Sequence, residues 1–388
     1  MRLADVCEIN PKVQLIDENM EVSFIAMSNV SEDGKISTND IRQYYEVKKG
    51  FTCFQEKDVL FAKITPCMEN GKGALAVGLK NGVGCGSTEF HVLRANTEIL
   101  EERWLFYLTV WQGFRKDAER HMTGSAGQKR VPKSFLEQYE LRFPTLSAQR
   151  QQIEVLDRIK NTIELRKIEL NKLEQLIKAR FVEMFGDPII NPRGLPVSDL
   201  GDLSELITKG ASPSWQGFSY TDDDTQTLFV TSENVREGFI DISSPKYIED
   251  GFSEKHRRSV LRKGDFLINI VGASIGRAAQ FNLDCKANIN QAAALVRIND
   301  TRIRDKYLSI YLNSEKAQQM YNSMKSDTGR ANLSLQDINN LSILLPPVEE
   351  QKAFESFVSQ VDKSKVAVQK SLDEAQMLFD SLMQQYFG

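Results

Sequence analysis

Few residues of this chain are spaced for catalysis. Glu46-Val-Lys48 has the Glu-x-Lys form that a metal-dependent nuclease can use, but such tripeptides arise readily in a chain with 26% charged residues. His91, His121 and His256 stand far apart in sequence, so they suggest neither a metal cluster nor a catalytic pair. The five cysteines (Cys7, Cys53, Cys67, Cys85 and Cys285) include no CxxC pair. That argues against a zinc knuckle or redox couple and leaves buried reduced thiols as the expectation. An adenine methyltransferase would need an Asn/Asp-Pro-Pro-aromatic tetrapeptide, and Leu345-Pro-Pro-Val348 lacks both ends of it. Gly82-Val-Gly-Cys-Gly86 is wrongly spaced for a nucleotide-binding turn and reads as a bend, and there is no GxxxxGK[ST] phosphate loop. No catalytic residue, metal ligand or cofactor site is assigned, and the chain is expected to be non-catalytic.

The chemistry that does stand out belongs to polar side chains able to bond base edges, Arg or Lys to guanine and Asn or Gln to adenine. They fall in three regions, each occurring twice. Ser28 and Asn29 match Ser232 and Asn234. A second region offers Lys63, Thr65, Glu69, Asn70 and Lys72, against Asn269, Ser274 and Arg277. A third, around a Gly turn, offers Ser125, Gln128, Lys129 and Arg130, against Arg330 and Asn332. Each set could equally be ordinary loop polarity. What favours DNA reading is that the two sets differ while the residues around them match.

That matching is an internal repeat. Phe24-Ile-Ala-Met-Ser-Asn-Val30 resembles Phe229-Val-Thr-Ser-Glu-Asn-Val235, and Lys57–Ile64 resembles Lys263–Ile270. Val92-Leu-Arg-Ala-Asn96 matches Leu295-Val-Arg-Ile-Asn299, and Thr123-Gly124 matches Thr328-Gly329. Leu136, Tyr139, Leu141, Phe143, Pro144 and Gln149 fall on Ile338, Leu341, Ile343, Leu345, Pro346 and Gln351, and Phe185-Gly186 falls on Phe387-Gly388. Each copy begins with short alternating runs and Gly turns, with one helical segment near Trp104–Lys116, as in a strand-rich mixed domain. After Pro144 and Pro346 the punctuation stops and a long helix is expected.

Both helices carry a seven-residue apolar seam. In the first it comprises Leu156, Ile163, Leu170, Leu173 and Ile177; in the second, Val358, Val361, Val368, Leu372 and Phe379. Two apolar lines at this period suit a helix-to-helix coiled-coil seam. A helix of about 37 residues spans roughly 55 Å, so a second domain starting at its far end must send its own helix back antiparallel. The expected fold is α+β: two repeated strand-rich recognition domains separated by two long antiparallel coiled-coil helices, with pseudo-two-fold symmetry. The expected boundaries are 1–147 for the first domain, 148–186 for its helix, 187–348 for linker and second domain, and 349–388 for the second helix.

With 388 residues, 41% of them apolar, two domains are the default. No apolar run approaches membrane-spanning length and the N-terminus lacks a secretion signal, so a cytoplasmic location without membrane partners is expected. The net charge of −4 does not advertise nucleic-acid binding. Local charge offsets this: residues 253–277 hold Lys255, Arg257, Arg258, Arg262, Lys263 and Arg277 against Glu254 and Asp265. Residues 112–142 hold seven Lys or Arg against four acids. Basic faces of this kind suit phosphate contacts.

The whole chain resembles the specificity subunits of Type I restriction–modification enzymes. The run Asp58-Val-Leu-Phe-Ala-Lys-Ile-Thr-Pro-Cys-Met-Glu-Asn-Gly-Lys72, the run Gly264–Arg277 and Leu345-Pro-Pro-Val-Glu-Glu-Gln351 carry the resemblance. The first copy has Phe143-Pro-Thr-Leu-Ser-Ala-Gln149, without the acid before Gln. The resemblance implies that each domain reads half of a split target in double-stranded DNA and that the paired helices set the gap. It further implies two modification subunits that bring S-adenosylmethionine and methylate adenine, joined by motor-nuclease subunits for restriction. A coiled-coil scaffold without DNA affinity is the alternative, and it leaves the divergent polar loops unexplained.

Overall fold

The computed structural model describes residues 1–13, 17–125, 127–324 and 332–388. Arg330 and the Thr328-Gly329 match lie outside the described residues. The chain forms two compact units, Met1–Ile168 with Val368–Gly388, and Glu169–Ala367.

In the first unit, Val59–Ala62 is the centre of a four-stranded antiparallel sheet ordered Cys7–Ile9, Phe90–Ala95, Val59–Ala62, Gly73–Leu75. All four residues of Val-Leu-Phe-Ala are buried, which is why this run is apolar throughout rather than alternating. A second sheet runs Ile41–Gln43, Glu21–Ile25, Val83–Gly86, Thr52–Gln55, with Glu21–Ile25 parallel to Val83–Gly86. The glycine-rich Val83–Gly86, read from sequence as a bend, is therefore a strand. A Cβ at Gly84 would lie 2.4 Å from the Phe54 ring and one at Gly86 1.9 Å from the Ile25 carbonyl, so close packing explains the glycines. The single helix expected near residues 104–116 is two, Glu102–Val110 and Gln112–Arg120, broken at Trp111.

The second unit repeats this order. Its first sheet runs Ser204–Lys209, Ala293–Ile298, Phe266–Asn269, Ala278–Gln280. Its second contains Thr227–Val230 parallel to Ala287–Ile289, and helices Asp305–Leu312 and Glu315–Met324 follow. Left-handed backbone recurs too: Lys57 (φ 71°) stands where the second copy has Gly264 (φ 97°), each just before the buried carboxylate of Asp58 or Asp265.

The long helices are Leu146–Phe185 and Val348–Phe387, 40 residues each. In the first unit, Leu156, Ile163, Val368 and Leu372 are buried, and Phe379 and Leu382 pack with Leu156, Met383 and Phe387. In the second unit, Ile177, Phe181, Phe354, Val358 and Val361 share one core with Leu173, and Lys365 Nζ lies 3.1 Å from Glu174. Leu170 is half-buried. In each unit, the start of one long helix meets the end of the other, so the pair is antiparallel. Aromatic rings fix both junctions: Trp104 lies 4.7 Å from Phe387, and at matching repeat positions Tyr307 lies 5.0 Å from Phe185.

One cysteine expectation is overturned. Cys53 and Cys85 face each other on adjacent antiparallel strands and are joined in a disulfide; of the free thiols Cys7 is buried as expected, but Cys67 is half-buried and Cys285 exposed. The sequence separation of 32 residues hid a pairing that strand register creates.

Candidate nucleic-acid interface

Each domain is braced by the same buried polar groups. Arg94 donates through Nε and Nη2 to Asp58 at 2.8 and 2.7 Å, and Arg297 does the same to Asp265 at 2.8 and 2.7 Å. The carboxylates hold the pKa of both guanidinium groups above its ordinary value. Asp58 also accepts from Gln55 N and Asp265 from Arg262 N, each at 2.7 Å, so each carboxylate closes the turn before its central strand.

The two glutamines are a second brace. Gln149 donates to Ile99 O and Pro144 O at 3.0 and 2.9 Å and accepts from Glu101 N at 2.8 Å. Gln351 donates to Arg302 O and Pro346 O at 2.9 and 2.8 Å and accepts from Arg304 N at 2.9 Å. Both lie fully buried, tying the start of a long helix to the segment before the first short helix. Glu350, which has no counterpart in the first copy, binds the linker residue Arg193 at 2.7 and 3.1 Å.

On this frame the three loop regions meet. In the first domain, Thr65 N donates to Lys129 O at 3.0 Å, Val131 N to Lys63 O at 2.9 Å, and Lys72 Nζ to Met27 O at 3.1 Å. In the second, Asn269 Nδ2 donates to Ser232 O at 2.9 Å and to Ser274 Oγ at 3.1 Å, and Leu333 N donates to Ile270 O at 2.9 Å. Ile64 bridges Arg130 as Val271 bridges Asn332.

The candidate residues divide sharply within these rims. Ser28, Glu69, Asn70, Ser125, Gln128, Lys129 and Asn332 are exposed, and Lys63, Ser232 and Arg277 are half-buried. Thr65 Oγ1 donates to Glu69 at 2.8 Å. Several others serve the frame. Asn29 Oδ1 accepts from Ala26 N at 2.9 Å. Asn234 accepts from Thr231 N and donates to Asp241 O, both at 2.9 Å. Asn269 is fully buried, so its amide cannot meet a base edge where it stands. Arg130 is clamped on Glu89 at 2.9 and 2.8 Å, its fork occupied, and it holds the Glu89 pKa below the usual carboxylate value. Position in a loop marks the region in which these residues lie but does not give the direction of the side chain.

The basic run at 253–277 is also divided. Arg262 and Lys263 are exposed ahead of the strand Phe266–Asn269 and Arg277 follows it, so its length, roughly 10 Å, separates them. Glu46 and Lys48 do not form a nuclease pair: Glu46 caps Gln43 N and Lys48 binds Glu18. His91 is buried between Asn10 and the Val131 carbonyl, and burial lowers its pKa. Among the described residues, no cluster of three metal-ligating side chains occurs, and no helix is long and apolar enough to cross a membrane.

Two domains of one α+β fold, each with a different polar rim on the same braces, form a duplicated module. The sequence matches the family model for the Type I restriction modification DNA specificity domain over residues 1–175 and 192–375. The chain belongs to that family. The EcoAI specificity subunit of Escherichia coli is 45% identical over 149 residues, 38% of this chain and 25% of that protein. The EcoEI specificity subunit of the same organism is 43% identical over 144 residues, 37% and 24% of the respective lengths. These alignments thus span about a quarter of each relative. A solved chain from a study of complex assembly in the type I R-M system shares the fold at TM-score 0.65 and 21% identity, covering 100% of this chain and 96% of that one. The Type-I restriction-modification system S subunit from M. genitalium gives a TM-score of 0.54 at 12% identity, covering 100% and 95%.

Proposed function

We propose that this chain is the specificity subunit of a Type I restriction–modification system. Each domain reads one half of a bipartite sequence in duplex DNA, and the chain directs partner adenine methyltransferase and restriction subunits to that site. The observation that carries the reading is a pair of equal frames with unequal rims: both Asp–Arg clamps and both glutamine anchors repeat, while Glu69, Asn70 and Lys129 give way to Arg277 and Asn332. Modules that read different half-sites need that combination, because the frame fixes the geometry and the rim supplies the letters.

In this reading the chain's own task is binding and orientation. Exposed Lys129, Arg262 and Lys263 contact phosphates, the rim residues meet base edges in the major groove, and the long helices set the gap. S-adenosylmethionine belongs to the modification subunits, the complex works in the cytoplasm, and no membrane takes part. Co-expression with a modification subunit in methylation-free cells, followed by genome-wide mapping of methyladenine, tests it. One two-part motif with a fixed gap, absent without this chain, is expected. A stable complex that adds no methylation would refute the reading and favour the scaffold.

A further inference from the structure

The loop after the central strand differs between the two rims. It runs through residues 63–72 in the first domain and 270–277 in the second. Carbonyls that a loop turns inward must find donors. In the first domain Met68 O accepts from Arg115 Nη1 at 2.6 Å, and Lys72 O accepts from Arg115 Nη2 at 3.5 Å. These two carbonyls bracket the exposed Glu69 and Asn70.

Arg115 reaches them from the helix Gln112–Arg120 and is only 7% exposed. It forms no carboxylate pair among the described residues; its guanidinium lies 5.3 Å from the centre of the Phe61 ring. Burial brings its pKa down to about 10, which leaves it charged at neutral pH. A buried cation whose company is carbonyls and a ring costs stability that an apolar residue would not. Core packing alone does not account for it.

At the corresponding place in the second domain stands Gln318, on the helix Glu315–Met324. Its Nε2 donates to Gly276 O at 2.9 Å. Gly276 has φ +87°, and a Cβ there would lie 2.6 Å from Gln318 Oε1 and 2.5 Å from the Tyr321 ring. Loop and prop are therefore fitted to each other. The next residue is Arg277, whose guanidinium has no partner among the described residues. The surrounding frame repeats, yet this prop is a five-donor cation in one copy and a neutral amide in the other.

We propose that Arg115 and Gln318 are positioning residues for DNA specificity: from behind each rim, each sets the path of its domain's central loop. Each thereby decides which base edges Glu69 and Asn70, or Arg277, can reach. This rests on the specificity-subunit reading above. A recognition contact tolerates about 0.5 Å of misplacement, and loss of a prop that spans the loop exceeds that.

Wild type, Arg115→Met, Arg115→Lys and Gln318→Leu are each co-expressed with the modification subunit, and methyladenine is mapped. Arg115→Met is expected to lose about tenfold in discrimination at one or more positions of one half-site, with the other half unchanged. Gln318→Leu does the same in the opposite half, and Arg115→Lys, which keeps a donor and the charge, restores the letters. Should Arg115→Met fail to fold, Gln318→Leu decides on the same criterion. A purely structural role would lower methylation at every site without changing letters, and that result overturns the inference. Unchanged letters at unchanged levels also overturn it and leave the specificity-subunit reading standing. A wild-type chain that directs no two-part motif brings down both.

Discussion

Replacing Arg297 by Met would strand a buried carboxylate. The Arg297 side chain is 12% exposed and that of Asp265 2%, so solvent screens the pair little. Two charge-assisted hydrogen bonds at 2.8 and 2.7 Å are lost, and Val260 O loses its donor at 3.2 Å. Removing one member of a buried pair costs about 3–5 kcal/mol, most of it the uncompensated charge left behind. The matching Arg94→Met should fall near the lower end, about 3 kcal/mol, because Arg94 is 27% exposed. A chain of two units need not unfold in one step, so the assay should be local. Amide hydrogen exchange is followed in Phe266–Asn269 and Ala293–Ile298, with Val59–Ala62 and Phe90–Ala95 as internal reference. Protection in the second unit should fall by roughly two to three and a half powers of ten, at about 1.36 kcal/mol per power. Asp265→Asn combined with Arg297→Met should recover much of the loss, since Asn keeps an acceptor for Arg262 N. A loss below about 1 kcal/mol, or a double variant as unstable as the single, would refute the reasoning.

Other outcomes follow from the same contacts. Gln149→Leu leaves Ile99 O, Pro144 O and Glu101 N unpaired and should cost about 2–4 kcal/mol in the first unit, read by hydrogen exchange at Glu102–Val110. Phe387→Ala empties a buried place against Trp104 and Trp111; it should cost about 3–5 kcal/mol and shift tryptophan emission to the red. Alkylation of the denatured chain without reductant should mark three thiols, Cys7, Cys67 and Cys285, and five after reduction. His91 is held neutral by burial, with a folded pKa below its ordinary 6.5. Its contribution is full above pH 6.5 and is lost as pH falls from there through the folded value. First-unit protection should weaken over that range in wild type, and His91→Gln should remove this component of the pH dependence.

Much of the fold was legible because duplication wrote it twice. Paired blocks such as Val92–Asn96 and Leu295–Asn299 fixed the two domains, and uninterrupted heptads after Pro144 and Pro346 announced the helices. The braces were visible in the same blocks: an Asp and an Arg kept in register in both copies, and the Gln pair 149 and 351. What could not be read was side-chain direction. Asn269 ends a strand at the rim and Arg130 lies in a rim loop, yet one turns into the core and the other onto Glu89, because strand ends and cross-loop partners decide where a side chain points. Cys53 and Cys85 were equally hidden, since their meeting depends on which residue of Thr52–Gln55 opposes which of Val83–Gly86. Arg115 left no signal, because its counterpart, Gln318, is a different residue type.

The aromatic junctions have a consequence for synthesis. Trp104 and Tyr107 belong to the early part of the chain, but Phe387 and Phe379, the rings they pack against, emerge from the ribosome long afterwards. Tyr307 meets Phe185, which has already been made when it appears. The unit that is translated first is therefore completed after the second one. Its apolar seam at Leu156 and Ile163 stays open for most of translation, a window in which chaperones, or the corresponding segment of another nascent chain, can occupy it.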